Sequence, residues 1–181
     1  MSEEAEILKL VCRRLEAAAI PYMITGSMAA NLYAVPRMTR DIDVVIEAQS
    51  GDIPKMTELF KQDFYVDRES ISEAIQRQGM FNIPHNESVV KIDFIIRKNS
   101  SYRELEFQRR RAVPFESERI WVVSPEDLIL SKLFWAKDSL SEMQLKDVKN
   151  LLSAVKNLDN AYLAQWTQTL GLEEVYRKAV L

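Results

Sequence analysis

The 181-residue sequence contains one cysteine, one histidine, four glycines and six prolines. A lone cysteine, Cys12, excludes an intramolecular disulfide and predicts a reducing compartment. A lone histidine, His85, excludes a histidine-rich metal cage, so any metal site must be built mainly from carboxylates. No apolar run approaches the ~20 residues of a membrane span. The opening MSEEAE also lacks the charged-then-apolar layout of a signal peptide. These absences predict a soluble cytoplasmic protein with no membrane partner. The formal net charge of −3 argues against a protein that coats long nucleic acid, while leaving room for a small phosphate ligand or one RNA end.

What is present is an ordinary globular composition, 47% hydrophobic and 28% charged. Its length predicts one compact domain, or one domain with a helical appendage, large enough to fold without a disulfide or structural metal. Ile7, Leu8, Val11, Leu15 and Ala18 recur at helical spacing until Pro21. A short apolar run, 22–25, leads through Gly26-Ser27 into a second helical stretch that Pro36 closes. DIDVVIE (41–47) alternates carboxylates with apolar residues and reads as a strand. Helices are expected around Met56–Phe60 and over 70–78, with a short strand at 64–66 between them. Strands at 80–83 and 88–96 follow, joined by a Pro-His-Asn turn, and then a helix within 97–111 and a hairpin of 113–115 with 120–123. Ser124-Pro125 opens an all-helical tail with helices at 125–138, 142–156, 160–169 and 172–180. The expected division is an α/β part over 1–123, a short mixed sheet with flanking helices, and a helical bundle over 124–181 packed on it.

The chemistry concentrates in three places. Side chains two apart on a strand share a face, so Asp41 and Asp43 lie about 6.5–7 Å apart on one side. Paired carboxylates repel unless a cation compensates, and oxygen ligands of this kind suit Mg²⁺ with substrate phosphates completing its shell. Gly26-Ser27 stands between a strand and a helix, where a glycine admits close backbone approach and the helix N-terminus offers N–H groups to a phosphate. In SVVKIDFII, Val90, Ile92, Phe94 and Ile96 share one face and leave Lys91 and Asp93 on the other. A carboxylate in the middle of such a strand is costly unless a site uses it.

Gly26-Ser27, thirteen residues (28–40) and then Asp41-Ile42-Asp43-Val44, with a third acid on a later strand, resembles the signature of the polymerase-beta-like nucleotidyltransferases. Asp93 resembles that third acid. Lys91-Ile92-Asp93, and Asp127 to Lys132 in DLILSK, are similar to elements of small bacterial members. Those are stand-alone minimal enzymes and the toxin-type enzymes of abortive-infection and toxin–antitoxin systems. The resemblance spans about residues 20–135 and implies an α/β nucleotidyltransferase fold that moves a nucleoside monophosphate from an NTP to a hydroxyl. It implies two Mg²⁺ ions on Asp41, Asp43 and Asp93, phosphate binding by Gly26, Ser27, Arg37, Arg40 and Lys132, and acceptor activation by Asp93. The acceptor it implies is an RNA end or a protein side chain, with a cognate antitoxin-like protein as a further partner. An antibiotic hydroxyl is the alternative, and predicts a drug-sized acidic cleft formed with the helical tail. A catalytically idle module that binds a partner helical protein is the alternative of another class.

Plainer readings stand beside these. Gly26-Ser27 also fits an ordinary turn, DID an edge strand charged against aggregation, and Lys132 a surface lysine. Arg37 and Arg40 would either grip a triphosphate or neutralise Asp41 and Asp43 in the empty state. Asp127 reads most simply as a helix cap. Arg109-Arg110-Arg111 fits a solvated loop better than a nucleic-acid patch, and His85 fits an exposed turn. Trp121, Trp135 and Trp166 have apolar neighbours and read as core, and Cys12 as an inert buried thiol.

Overall fold

The computed structural model of the chain describes residues 2–139 and 141–180. Six strands form one mixed sheet in the order β3-β4-β2-β1-β6-β5. They are β1 (Tyr22–Ile24), β2 (Asp41–Ile46), β3 (Met80–Pro84), β4 (Lys91–Ile96), β5 (Arg111–Phe115) and β6 (Glu118–Val122). β2 runs parallel to β4 and β1 parallel to β6, while β1–β2, β3–β4 and β5–β6 are antiparallel. The expected strand at 64–66 is reduced to one bridge between Phe64 and His85, where the rings also meet edge to face at 5.2 Å.

Strand alternation decides which face is core. Ile42, Val44 and Ile46 of β2, with Ile92, Phe94 and Ile96 of β4, are buried on one side of the sheet. Phe94 lies 5.2 Å from Phe81 of β3 and 5.4 Å from Phe60 of α3 (Ile53–Phe60), centroid to centroid. α4 (Arg68–Arg77) adds Ile71 and Ala74 to the same core. α1 (Glu3–Ala17) is capped by the hydroxyl of Ser2, which accepts from the Ala5 N–H at 3.3 Å, and buries Ile7, Leu8, Val11, Cys12 and Leu15. Burial pushes the Cys12 thiol up to about 12, as an inert thiol requires.

α2 (Gly26–Tyr33) follows β1 directly, and α5 (Ser101–Gln108) joins β4 to the β5–β6 hairpin. From Pro125 the chain is helical: α6 (Pro125–Ser139), α7 (Glu142–Ala154), α8 (Asn160–Thr169) and α9 (Glu173–Val180). α6 buries Leu128, Ile129, Leu130, Leu133 and Ala136 between α2, α7, α8 and α9. The fold is the expected mixed α/β layer with a C-terminal helical region, and α6 and α7 rest on α2 beside the carboxylate-bearing face of the sheet. Among the described residues no helix is long and apolar enough to cross a membrane.

Candidate active site

The second face of β2 and β4 carries the acids. Their parallel register pairs Asp43 with Asp93, Asp41 with Lys91 and Val45 with Ile95. One row of side chains therefore runs from charged to apolar along the strands. Lys91 lies between the acids, its Nζ 3.0 Å from Asp93 Oδ2 and 3.6 Å from Asp41 Oδ1. That hydrogen bond to Asp93, opposed by burial, holds the Lys91 ammonium above its ordinary value. The other oxygen of Asp93, Oδ1, is buried with no hydrogen-bond partner among the described residues. Burial, reinforced by the charges of Asp93 and Asp41, pushes the Asp43 carboxyl above the usual range, against the pull of Lys132 and Lys91. Among the described residues no three His, Cys, Asp or Glu side chains form a ready-made metal cluster.

The Gly26-Ser27 turn leans on this acid row. The Thr25 N–H donates to the Asp43 carbonyl at 2.9 Å, and Gly26 adopts φ +63° to start α2. Ser27 Oγ accepts from Arg37 Nη2 at 2.5 Å. Arg37 is set by Asn31, whose side chain bonds both the Arg37 N–H (2.9 Å) and its carbonyl (2.7 Å). Its guanidinium donates to both carboxylate oxygens of Asp147 on α7, at 3.3 and 3.2 Å. Lys132 of α6 reaches the same carboxylate at 2.7 Å and Gln144 at 3.2 Å. Burial works against ionisation of Asp147, yet the bonds from Arg37 and Lys132 prevail and hold its carboxyl below the usual range.

A cavity of about 500 Å³ opens between this sheet face and the helical tail. Gly26, Ser27 and Asp43 line one side and Lys132 with Gln144 the other. Arg77 and Lys98 complete the charged part, so Asp43 is the one acid among the lining residues. The cleft is drug-sized and formed with the tail as the antibiotic alternative expects, but its lining is cationic and not acidic.

Several expectations change. Arg37 does not neutralise Asp41 and Asp43; it is bound to Ser27 and Asp147, and Lys91 supplies the cation beside Asp41 and Asp93. Arg40 is exposed before β2, where its carbonyl accepts from the Lys91 N–H at 3.0 Å. Lys132 is no surface lysine, being 3% exposed. Trp135 is 66% exposed at the cavity and Trp121 is 39% exposed, so neither is core. Asp127 is fully buried and receives the hydroxyls of Ser124 and Tyr162 at 2.5 and 2.6 Å, while Ser124 caps α6. The arginine run is spent internally. Arg109 pairs with Asp127 and Glu126, Arg111 pairs with Glu126, and Arg110 stacks over Phe107 and Trp121. His85 is half-buried against Phe64.

Asp147 escaped the sequence reading. The signal that finds it is the stripe Gln144, Asp147, Val148 and Leu151, which puts an acid on the buried side of a helix.

The comparisons agree with this fold. No curated protein matches the chain in sequence. Three of the solved structures that share its fold illustrate the likeness. The lincosamide antibiotic adenylyltransferase LnuA, lincomycin-bound, superposes with a TM-score of 0.59 at 16% identity, over 86% of this chain and 99% of its own. An antigenic nucleotidyltransferase-like protein from Paracoccidioides brasiliensis gives 0.60 at 16% identity, over 98% and 94%. The antibiotic-resistance factor ANT(2'')-Ia gives 0.61 at 10% identity, over 97% of each chain. Residues 3–168 match the family described as "Nucleotidyltransferase of unknown function (DUF6036)". The chain belongs to that family, within the polymerase-beta-like nucleotidyltransferase superfamily.

Proposed function

We propose that the chain transfers a nucleoside monophosphate from an NTP to a hydroxyl of a small molecule, at the face formed by Asp41, Asp43 and Asp93. One observation carries the NTP half of this reading: Gly26, Ser27, Asp43 and Lys132 open into a single cavity of about 500 Å³, within the usual size of a small-molecule site. Its cationic lining suits a polyphosphate. The lincosamide antibiotic adenylyltransferase and the antibiotic-resistance factor among the similar folds favour a small acceptor. Arg109 and Arg111 pair internally with Glu126 and Asp127, so this run lends an RNA acceptor no support.

The residues present fit a divalent cation. Asp41, Asp43 and Asp93 offer hard oxygen donors on adjacent strands, the buried Asp93 Oδ1 lacks a partner among the described residues, and Lys91 holds the place of a cation beside two of the acids. Mg²⁺ held by these three would supply Lewis-acid stabilisation of charge on the α-phosphate and the leaving group. The N–H groups opening α2, the Ser27 hydroxyl and Lys132 bind the β- and γ-phosphates. Arg37 adds positive charge behind them. Asp93 takes the proton of the acceptor hydroxyl as its oxygen attacks the α-phosphorus. The bond from that phosphorus to the bridging oxygen breaks, and pyrophosphate leaves.

The test uses ATP labelled at the α- or the γ-phosphate, with Mg²⁺ and the small-molecule, RNA and protein fractions of a lysate offered separately. The reading expects α-label, and no γ-label, in a small-molecule product. Label in RNA or protein moves the acceptor to those classes. Label in no fraction, with the chain bound to a helical protein, supports the idle module.

A further inference from the structure

The cleft does not end at its charged part. A second cavity of about 180 Å³ continues from it, and Thr25, Ile95, Lys98, Ser131 and Trp135 line both. Here the active face of the sheet has turned apolar. The row that carries Asp43 and Asp93 continues, two residues on, as the paired Val45 and Ile95. From α6, Phe134 and Trp135 line the same space, 45% and 66% exposed. Large apolar side chains exposed beside a polar site offer a ligand a face to pack against.

We infer that this apolar end is the subsite for the nucleobase of a purine nucleoside triphosphate, with Trp135 as its stacking platform. The inference rests on the phosphate-site reading above. Continuity fixes the occupant. A molecule whose phosphates lie on Gly26, Ser27 and Lys132 has its remainder in the same continuous space. The acceptor has another way in, because Asp41 lines neither cavity and its side chain is 60% exposed. α6 supplies both functions from one face. Leu128, Ser131, Lys132 and Trp135 recur at helical spacing, so the ammonium and the indole stand one turn apart along the cleft.

The polar groups of the subsite are already matched to one another. Arg103 Nη1 donates to Glu106 at 2.7 and 2.8 Å and to Ser131 Oγ at 2.8 Å, and the Ser131 hydroxyl donates to Glu106 at 2.7 Å. A base therefore meets a surface that rewards stacking area more than a hydrogen-bond pattern. ATP and GTP should bind alike, and both more tightly than CTP or UTP.

The experiment compares ATP with inorganic tripolyphosphate, each with Mg²⁺, by titration calorimetry on the full chain and its Trp135→Ala and Trp135→Phe variants. The unaltered chain should prefer ATP. Trp135→Ala should weaken ATP roughly five- to hundred-fold, the range for losing one base–aromatic stack, and leave tripolyphosphate unchanged. Trp135→Phe should keep most of the preference, since any aromatic face can stack. Both ligands bound by the unaltered chain, with the full ATP preference kept in Trp135→Ala, overturns the inference alone. Neither ligand bound by the unaltered chain overturns the phosphate-site reading and this inference with it.

Discussion

A Cβ built on residue 26 would fall 2.7 Å from the Cγ of Asp43 and closer still to its Oδ2. The residue also holds φ +63°, a backbone state open to glycine and costly for side chains. The two halves of the site, phosphate turn and acid row, are thus in contact through the absence of a side chain. Gly26→Ala should cost at least ~1–2 kcal/mol from backbone strain alone, a loss of roughly 2–8 °C in melting temperature. It should also abolish any gain in melting temperature from Mg²⁺ with ATP, because Asp43 must move. A thermal melt with and without Mg²⁺ and ATP checks both.

Asp43 gives a pH prediction. Burial, with the charges of Asp93 and Asp41, raises its carboxyl above the ordinary value of 3.8, with Lys132 and Lys91 opposing. The folded chain then holds this proton to higher pH than the unfolded chain does. Its contribution to stability therefore falls as pH rises from the ordinary carboxylate range through the raised value. Asp43→Asn removes that fall. Without metal, melting temperatures of variant and unaltered chain should converge toward acid pH and separate toward neutral, with the variant higher. With Mg²⁺ and ATP, the unaltered chain should rise and the variant should not. A full ligand-induced rise in Asp43→Asn would remove this residue from the binding site.

Much of this site was legible in the sequence because strand alternation is a strict rule. The spacing of Asp41 and Asp43, and of Lys91 and Asp93, placed four side chains on one face of the sheet, and the register of β2 on β4 aligned them. Helices were less legible. The apolar neighbours of Trp135 suggested core, but which face of α6 stays open depends on how α7 and the sheet meet it. Arg109 and Arg111 looked like a solvated run because their partners, Glu126 and Asp127, come together with them only through the hairpin that intervenes. The helical stripe of Asp147 marks it as buried, but its role was not legible, since both its cations come from other elements.

The buried pair of Lys132 and Asp147, with side chains 4% and 6% exposed, makes a third prediction. Asp147→Leu strands the buried Lys132 ammonium and should cost roughly 3–5 kcal/mol, whereas Lys132→Met leaves Asp147 paired with Arg37 and should cost less. The double variant should recover much of the Asp147→Leu loss, because the buried ammonium is gone and the Arg37 guanidinium, 34% exposed, can turn to water. It should not recover triphosphate binding, which needs the Lys132 ammonium. Urea unfolding of the single and double variants, paired with tripolyphosphate titration, separates the two roles. Full binding by the double variant would show that Lys132 only holds the helices together.

The most direct test of the account is one paired measurement on Asp93→Asn: NTP affinity, and transfer of α-label to acceptor. Asp93 is 7% exposed, with Oδ2 on Lys91 and Oδ1 lacking a partner among the described residues. As the group that takes the acceptor's proton, its loss should leave NTP affinity within a few fold and lower transfer by ~10²–10⁴. Affinity and transfer falling by the same factor would reduce Asp93 to a metal ligand. Transfer unchanged in Asp93→Asn would contradict the account, since the carboxylate-bearing face would then not be where the chemistry occurs.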